Sequence, residues 1–286
     1  MFGEIIKDFR IRNGLSQTNF VDVVQRSNSS FNNLDVVTLS RWERGITTPH
    51  LRRQNELLDL IGVNLFDIWD SNDATVLTTR LMSKLNSNGY INTDAYSVPE
   101  FNVIGANNLY LLRNMSNLID VIFEYEDNII LGLLEKLGLS RRSIIEKIIN
   151  QYSGELILVT INGQLIGHIL SSNYQLSLDF IEPILEHEDD TARIVISFNC
   201  THHSSFIGVM GREAYKYIQS LNPRSYFCIF LKNKKMFDLF FTLGFDFRSI
   251  SVNNNSMKVM YLDSRKMKSQ RSWMDIISNY VEKYNE

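Results

Sequence analysis

Ser40-Arg41-Trp42-Glu43-Arg44-Gly45 sets the pattern of the N-terminal part of this chain. Leu39 and Trp42 lie three apart, so on a helix they share one inward face. Asp35 is placed to cap a helix from Val36 to Arg44, and Gly45 stops it. Val36, Val37, Thr38, Ser40, Arg41 and Arg44 are left for the outer side. Upstream, Ile5, Ile6, Phe9 and Ile11 to Leu15 alternate with Lys7, Asp8, Arg10 and Arg12 as an amphipathic helix ending at Gly14. Ser16 then caps a second helix, Gln17 to about Gln25, which buries Phe20, Val21 and Val24. Downstream, Pro49 opens a fourth helix carrying Leu57, Leu58, Leu60 and Ile61.

Leu15-Ser16-Gln17, Arg41-Trp42-Glu43-Arg44-Gly45 and the following Pro49 together resemble the phage repressor/Cro-like (XRE-type) helix-turn-helix family over residues 3–66. The resemblance implies a double-stranded DNA operator as partner. By position, Gln17 starts the helix that crosses the backbone and would meet a phosphate. Val36, Val37, Thr38, Ser40 and Arg41 sit on the groove-reading face. Arg41 suits a guanine edge and the valines suit thymine methyls. Arg44, Arg52 and Arg53 would hold phosphates. Glu43 reads instead as a structural contact within the motif.

Two features depart from that pattern. Residues 27–34, Ser-Asn-Ser-Ser-Phe-Asn-Asn-Leu, are longer than the usual tight turn, and read as a polar surface insertion or an extra backbone contact. Residues 1–66 also carry eight Lys/Arg against seven Asp/Glu. Such a balance gives little long-range attraction to DNA, so binding needs a local patch and a homodimer reading two half-sites.

The chain's 286 residues suit two domains. Its 44% hydrophobic content is ample for two cores, and a net charge of −3 is ordinary for a cytoplasmic protein, bacterial or phage-encoded. Cys200 and Cys228 sit in apolar runs as free thiols. No signal-peptide pattern opens the sequence and no run of about 18 apolar residues exists, so no membrane partner is expected.

Residues 1–70 form the helical domain, 71–98 a linker with a connecting helix, 99–264 a second domain, and 265–286 a basic linker with an amphipathic helix. Helices dominate 109–149. From 155 the period changes to that of strands: a hairpin across Asn162-Gly163, a strand from Ala192 to Cys200, a helix Gly208–Leu221, a strand Ser225–Leu231, a helix Lys234–Leu243 and a terminal hairpin. The expected class is therefore two-domain α+β: an all-α bundle, then a mixed α/β domain with a mostly antiparallel central sheet. Trp273, Ile276, Ile277, Tyr280 and Tyr284 line one side of the last helix, and a dimer seam is favoured for that stripe. Arg265, Lys266, Lys268 and Arg271 read as a solvated linker or an auxiliary DNA contact. Glu186 to Asp190 reads as a solvated loop, and His202-His203 as loop histidines, since adjacent strand residues face opposite ways.

The segment from Asn233 through Phe240 to Leu243-Gly244-Phe245, with the Leu158–Gly167 hairpin, resembles the GCN5-related N-acetyltransferase (GNAT) family. That resemblance implies acetyl-CoA or another acyl-CoA as cofactor, its pyrophosphate held by a glycine-rich loop after the fourth strand. The matching residues are His203, Ser204, Ser205, Phe206, Ile207 and Gly208, of which only the last keeps a family glycine. The family's proton-donating Tyr corresponds to Phe240, and the strand 193–200 lacks a carboxylate. General acid–base help is worth about 10²–10⁴ in rate. No catalytic or metal-ligating residue is assigned. A cleft between the fourth and fifth strands, walled by Phe198, Phe206, Phe227 and Phe240, would take an apolar small molecule. Three functions stay open: a DNA-binding transcription regulator whose second domain senses a ligand or dimerises, an active N-acyltransferase tethered to DNA, and an antitoxin-like interaction protein.

Overall fold

The computed structural model describes residues 2–69, 79–92, 98–126, 129–136, 138–173, 191–219, 225–231, 234–252 and 255–284. The chain divides into two compact units, Met1–Thr75 with Arg265–Met274, and Val76–Ser264 with Asp275–Glu286.

The first unit is helical: α1 Phe2–Arg12, α2 Gln17–Ser27, α3 Val36–Glu43 and α4 Leu51–Leu60. Its boundaries follow local chemistry. Ser16 Oγ accepts from Asn19 N, and Asp35 Oδ1 accepts from Thr38 N at 2.6 Å, so both caps satisfy otherwise orphaned amides. Gly14 and Gly45 adopt φ +65° and +67°, the left-handed conformation that ends a helix at least cost with glycine. His50, one residue beyond Pro49, caps α4 through its ring. Ile6, Phe20, Phe31, Leu34, Leu39, Leu57 and Leu58 form the core.

Residues 28–34 are more ordered than a polar insertion. Asn28 caps a 3-10 turn, Ser29–Phe31. Phe31 and Leu34 are buried, and Gln25 Nε2 donates to the carbonyls of Asn32 and Leu34. Two apolar anchors in a polar string suffice to seat it.

The 265–271 stretch is likewise no free linker. It belongs to the helical unit, where the Arg265 carbonyl accepts from Asn55 Nδ2 at 3.3 Å and its side chain lies 3.9 Å from Asp59.

The second unit opens with α5, Thr79–Ser87, and β1, Glu100–Ile104. A 3-10 segment, Ala106–Asn114, leads into α6 Ser116–Glu126, α7 Ile129–Lys136 and α8 Arg141–Gln151. Then come β2 Glu155–Ile161, β3 Gln164–Ser172, β4 Thr191–Cys200, α9 His203–Gln219, β5 Ser225–Phe230, α10 Lys234–Thr242, β6 Asp246–Val252 and β7 Asn255–Asp263. The chain ends with α11 Ser264–Lys268 and α12 Arg271–Tyr284.

The seven strands form one sheet in the order β1-β2-β3-β4-β5-β7-β6, antiparallel except for the β4–β5 pair. The mostly antiparallel sheet and the Asn162-Gly163 turn, with φ +51° and +76°, match the sequence expectation. One face buries Ile144, Ile148, Leu156, Ile194 and Phe230 in a cluster with α6 to α8. On the other face Tyr217 of α9 stacks on Phe227 of β5.

Beyond Val195 and Ile229, β4 pairs with β3 alone, so β4 and β5 part. Ile276, Ile277 and Tyr280 of α12 are buried, with Tyr280 against Tyr215 and Tyr284 against Phe101. The stripe expected to form a dimer seam is therefore covered within this chain. None of the described helices is long and apolar enough to cross a membrane.

Candidate functional site

In the helical unit, α3 divides its side chains by depth. Leu39, Trp42 and Glu43 are buried, Val36, Thr38 and Ser40 are half-buried, and Val37, Arg41 and Arg44 are exposed. Val37 and Ile46 are each 60% exposed, two bare aliphatic side chains. Ile46 carries no signal in the sequence, because the motif's recognisable residues end at Gly45.

Glu43 organises the interior of the motif. Arg10 Nε and Nη2 donate to its two oxygens at 2.6 and 2.9 Å, and Gln17 Nε2 donates at 2.8 Å. Burial pushes the Glu43 carboxyl up, but the bonds from Arg10 and Gln17 outweigh it and hold the group below its ordinary value. Glu43 is thus the structural contact expected of it.

The Gln17 amide donates one hydrogen to Glu43. Arg53 also turns inward, with its guanidinium 5.2 Å from the Phe31 ring and 5.7 Å from Trp42. There it braces the core. Arg52 pairs with Glu56 at 2.8 Å yet stays 73% exposed, and Arg44 Nε donates to the Ser40 carbonyl.

In the second unit the residues expected to form a cofactor loop do not form a loop. His203 to Gly208 are the opening turns of α9. Ser205 Oγ donates to the His202 carbonyl at 2.8 Å and accepts from His202 N, which starts the helix here rather than at Gly208. The segment around Ile91 runs parallel to this junction. Ile91 N donates to the Thr201 carbonyl at 2.7 Å, and His203 N donates to the Ile91 carbonyl at 3.0 Å. An amide at the helix start, of the kind that would meet a phosphate, is therefore already used.

Gly208 has a packing role, since a Cβ there would overlap the Phe101 ring. Phe206 is fully buried, 5.4 Å from the Tyr90 ring, 5.9 Å from Phe198 and 6.1 Å from Phe240. Phe240 packs on Phe245 at 5.2 Å, and Phe245 on Phe227 at 5.8 Å. The walls expected around an apolar cleft thus fill the space with one another. Asn233 lies outside the described residues. Tyr90, Ile91 and Phe101 were not signalled in the sequence, because they reach the site from more than a hundred residues away.

Beside the α9 start lies a cavity of about 160 Å³, lined by Met82, Asn92, His203, Ser204, Ile207, Asn279, Lys283 and Tyr284. It takes three of the expected loop residues and joins them to α5 and the end of α12. Burial pushes the His203 imidazole below its ordinary value.

β4 carries no carboxylate, and its Arg193 is buried. Arg193 Nε donates to Glu213 of α9 at 2.5 Å, Nη2 to Ser171, and Nη1 to Asn173. Glu155 joins this cluster by accepting from Arg212 at 2.6 Å and Lys216 at 2.7 Å. Burial raises the Glu155 carboxyl, but those two cations overcome it and bring it to about 2. The cluster ties α9 to the sheet. Among the described residues, no three His, Cys, Asp or Glu side chains are gathered so as to hold a metal.

No family model matches this sequence, and no curated protein does. Three solved structures have a remote likeness to part of this chain. An N-acyl amino acid synthase from uncultured soil microbes is 14% identical with TM-score 0.41, covering 62% of this chain and 97% of its own. An N-acetyltransferase from Staphylococcus aureus Mu50 is 13% identical with TM-score 0.37, covering 58% and 98%. An uncharacterised protein from Bacillus halodurans is 14% identical with TM-score 0.40, covering 64% and 92%.

Proposed function

We propose that this chain is a sequence-specific DNA-binding transcriptional regulator whose acetyltransferase-like unit does not turn over acyl-CoA and serves ligand sensing or dimerisation. The reading rests above all on α3. Its inner face is locked by Glu43, Arg10 and Gln17, while Val37, Arg41 and Arg44 are left exposed on the outer face. A short helix presenting an aliphatic group and two guanidinium groups, with Ile46 close behind, suits a major groove. Support for a non-catalytic second unit comes from the Ile91 carbonyl on the His203 amide and from Phe240 at the proton donor's position.

The test is duplex binding by full-length protein and by Arg41→Ala. Loss of one bidentate base contact is expected to cost about 1–3 kcal/mol on a preferred duplex, with little change on mixed-sequence DNA. Equal discrimination by the variant and the parent would remove Arg41 from the reading face.

A second reading, an acyl-CoA-dependent N-acyltransferase, is favoured by the parting of β4 and β5 beyond Val195 and Ile229. A thermal-shift titration with CoA, acetyl-CoA and longer acyl-CoAs tests whether the unit binds the cofactor. A saturable rise in melting temperature returns either this second reading or an acyl-CoA sensor, which CoA release with a broad amine panel then separates, and no rise supports a unit that holds no acyl-CoA.

A further inference from the structure

The cavity beside the start of α9 contains an unsatisfied buried group. His203 is 3% exposed, and neither ring nitrogen has a hydrogen-bond partner among the described residues. A buried imidazole left without partners costs free energy that a bound ligand would recover. Asn92, Asn279, Ser204, Tyr284 and Lys283 line the same cavity, together with the apolar Met82 and Ile207.

The polar groups favour an anion. Lys283 brings a positive charge, and the 17-residue α9 points its N-terminal end toward the same space. The single cation matches a single negative charge. The volume of about 160 Å³ is close to the roughly 150 Å³ that accommodates benzene in an apolar cavity. With Met82 and Ile207 on the wall, an organic body fits better than a bare inorganic ion.

We propose that this cavity binds a small organic carboxylate, its charged end at Lys283 and His203 and its short apolar body against Met82 and Ile207. The site is distinct from an acyl-CoA cradle. It is built from α5 and α12 together with α9, and the amide that a cradle would use at His203 is held by Ile91. The inference deepens, and in its regulatory meaning rests on, the reading of this unit as a ligand sensor.

The test titrates the full-length chain, with labelled histidine, with benzoate and hexanoate, and follows the His203 ring by NMR. Inorganic phosphate and hexanol serve as comparison arms. Saturable movement of the His203 resonances by a carboxylate is expected, weakened at least tenfold in Lys283→Met. In His203→Phe, whose ring takes the cavity, calorimetry is expected to find no carboxylate binding. Circular dichroism checks that both variants keep the fold. If His203→Phe does not fold, Ile207→Trp narrows the same space from the other wall and is expected to abolish binding. An unmoved His203 ring at tens of millimolar carboxylate overturns the proposal. So does equal binding of phosphate or hexanol. Duplex affinity measured with and without the carboxylate is read separately: binding with no change in DNA affinity leaves the site standing and removes the sensing role.

Discussion

Replacing Glu43 by Ala tests whether the helical unit is held as described. The carboxylate is 3% exposed and its partner Arg10 13%. Removing it strips Arg10 of two charge-assisted bonds and Gln17 of one. Deleting one member of a buried ion pair costs about 3–5 kcal/mol, because the other charge is left uncompensated. Arg10 keeps its bond to the Leu15 carbonyl at 2.9 Å and can draw water through its exposed edge, which places the expected loss at the lower end, about 3 kcal/mol. For a unit of this size that corresponds to a fall of roughly 12–24 °C in melting temperature.

The assay is convenient, since Trp42, Trp69 and Trp273 are the chain's three tryptophans and all belong to the helical unit. A urea melt of the full chain followed by tryptophan fluorescence therefore reads that unit. The double change Arg10→Met with Glu43→Leu, which removes both charges, is expected to recover most of the loss. A Glu43→Ala variant destabilised by less than about 1 kcal/mol, the range of an exposed pair, would mean that Glu43 does not hold the helical unit.

Further outcomes follow from the second unit. Glu155 has its carboxyl depressed to about 2, so its stabilisation is fully present above its ordinary value of 4.5 and is lost as pH falls from there through 2. Glu155→Gln should flatten the acid limb of a circular-dichroism unfolding profile across that window, and an unchanged limb would show that the cluster with Arg212 and Lys216 is not coupled to folding. Gly211→Ala should lower stability by about 1–3 kcal/mol through overpacking, because a Cβ there would lie 2.5 Å from Tyr280 Cβ and 2.8 Å from the Ile276 carbonyl. The check is a thermal melt. Arg193→Met leaves the fully buried Glu213 without its 2.5 Å partner and is expected to cost about 3–5 kcal/mol by the same melt.

Local signals were legible and distant ones were not. Ser16, Asp35, Gly14 and Gly45 work within one helical turn, so residue type and spacing suffice to place the helices around them. Asn162-Gly163 forces its hairpin in the same way. The helix start at His203 depends instead on Ile91, which reaches it from over a hundred residues upstream. No periodicity around 203–208 records that contact, and the family pattern suggested a loop. Gly208 shows the same limit: a glycine expected for phosphate approach is used for packing on Phe101. The stripe on α12 was visible as amphipathic, but an apolar face shows only that something covers it, and not whether the cover comes from the same chain or another. Phe31 was hidden inside a polar string whose composition reads as surface.

Sequence reading by the α3 face is the proposal on which the regulator role depends. Its most direct measurement is selection of duplexes from a randomised pool by the full-length protein at near-physiological salt. Enrichment of a defined half-site is expected, with preference for that site reduced by Arg41→Ala. Recovery of an unenriched pool, or DNA affinity equal for every sequence and governed by salt alone, would contradict it.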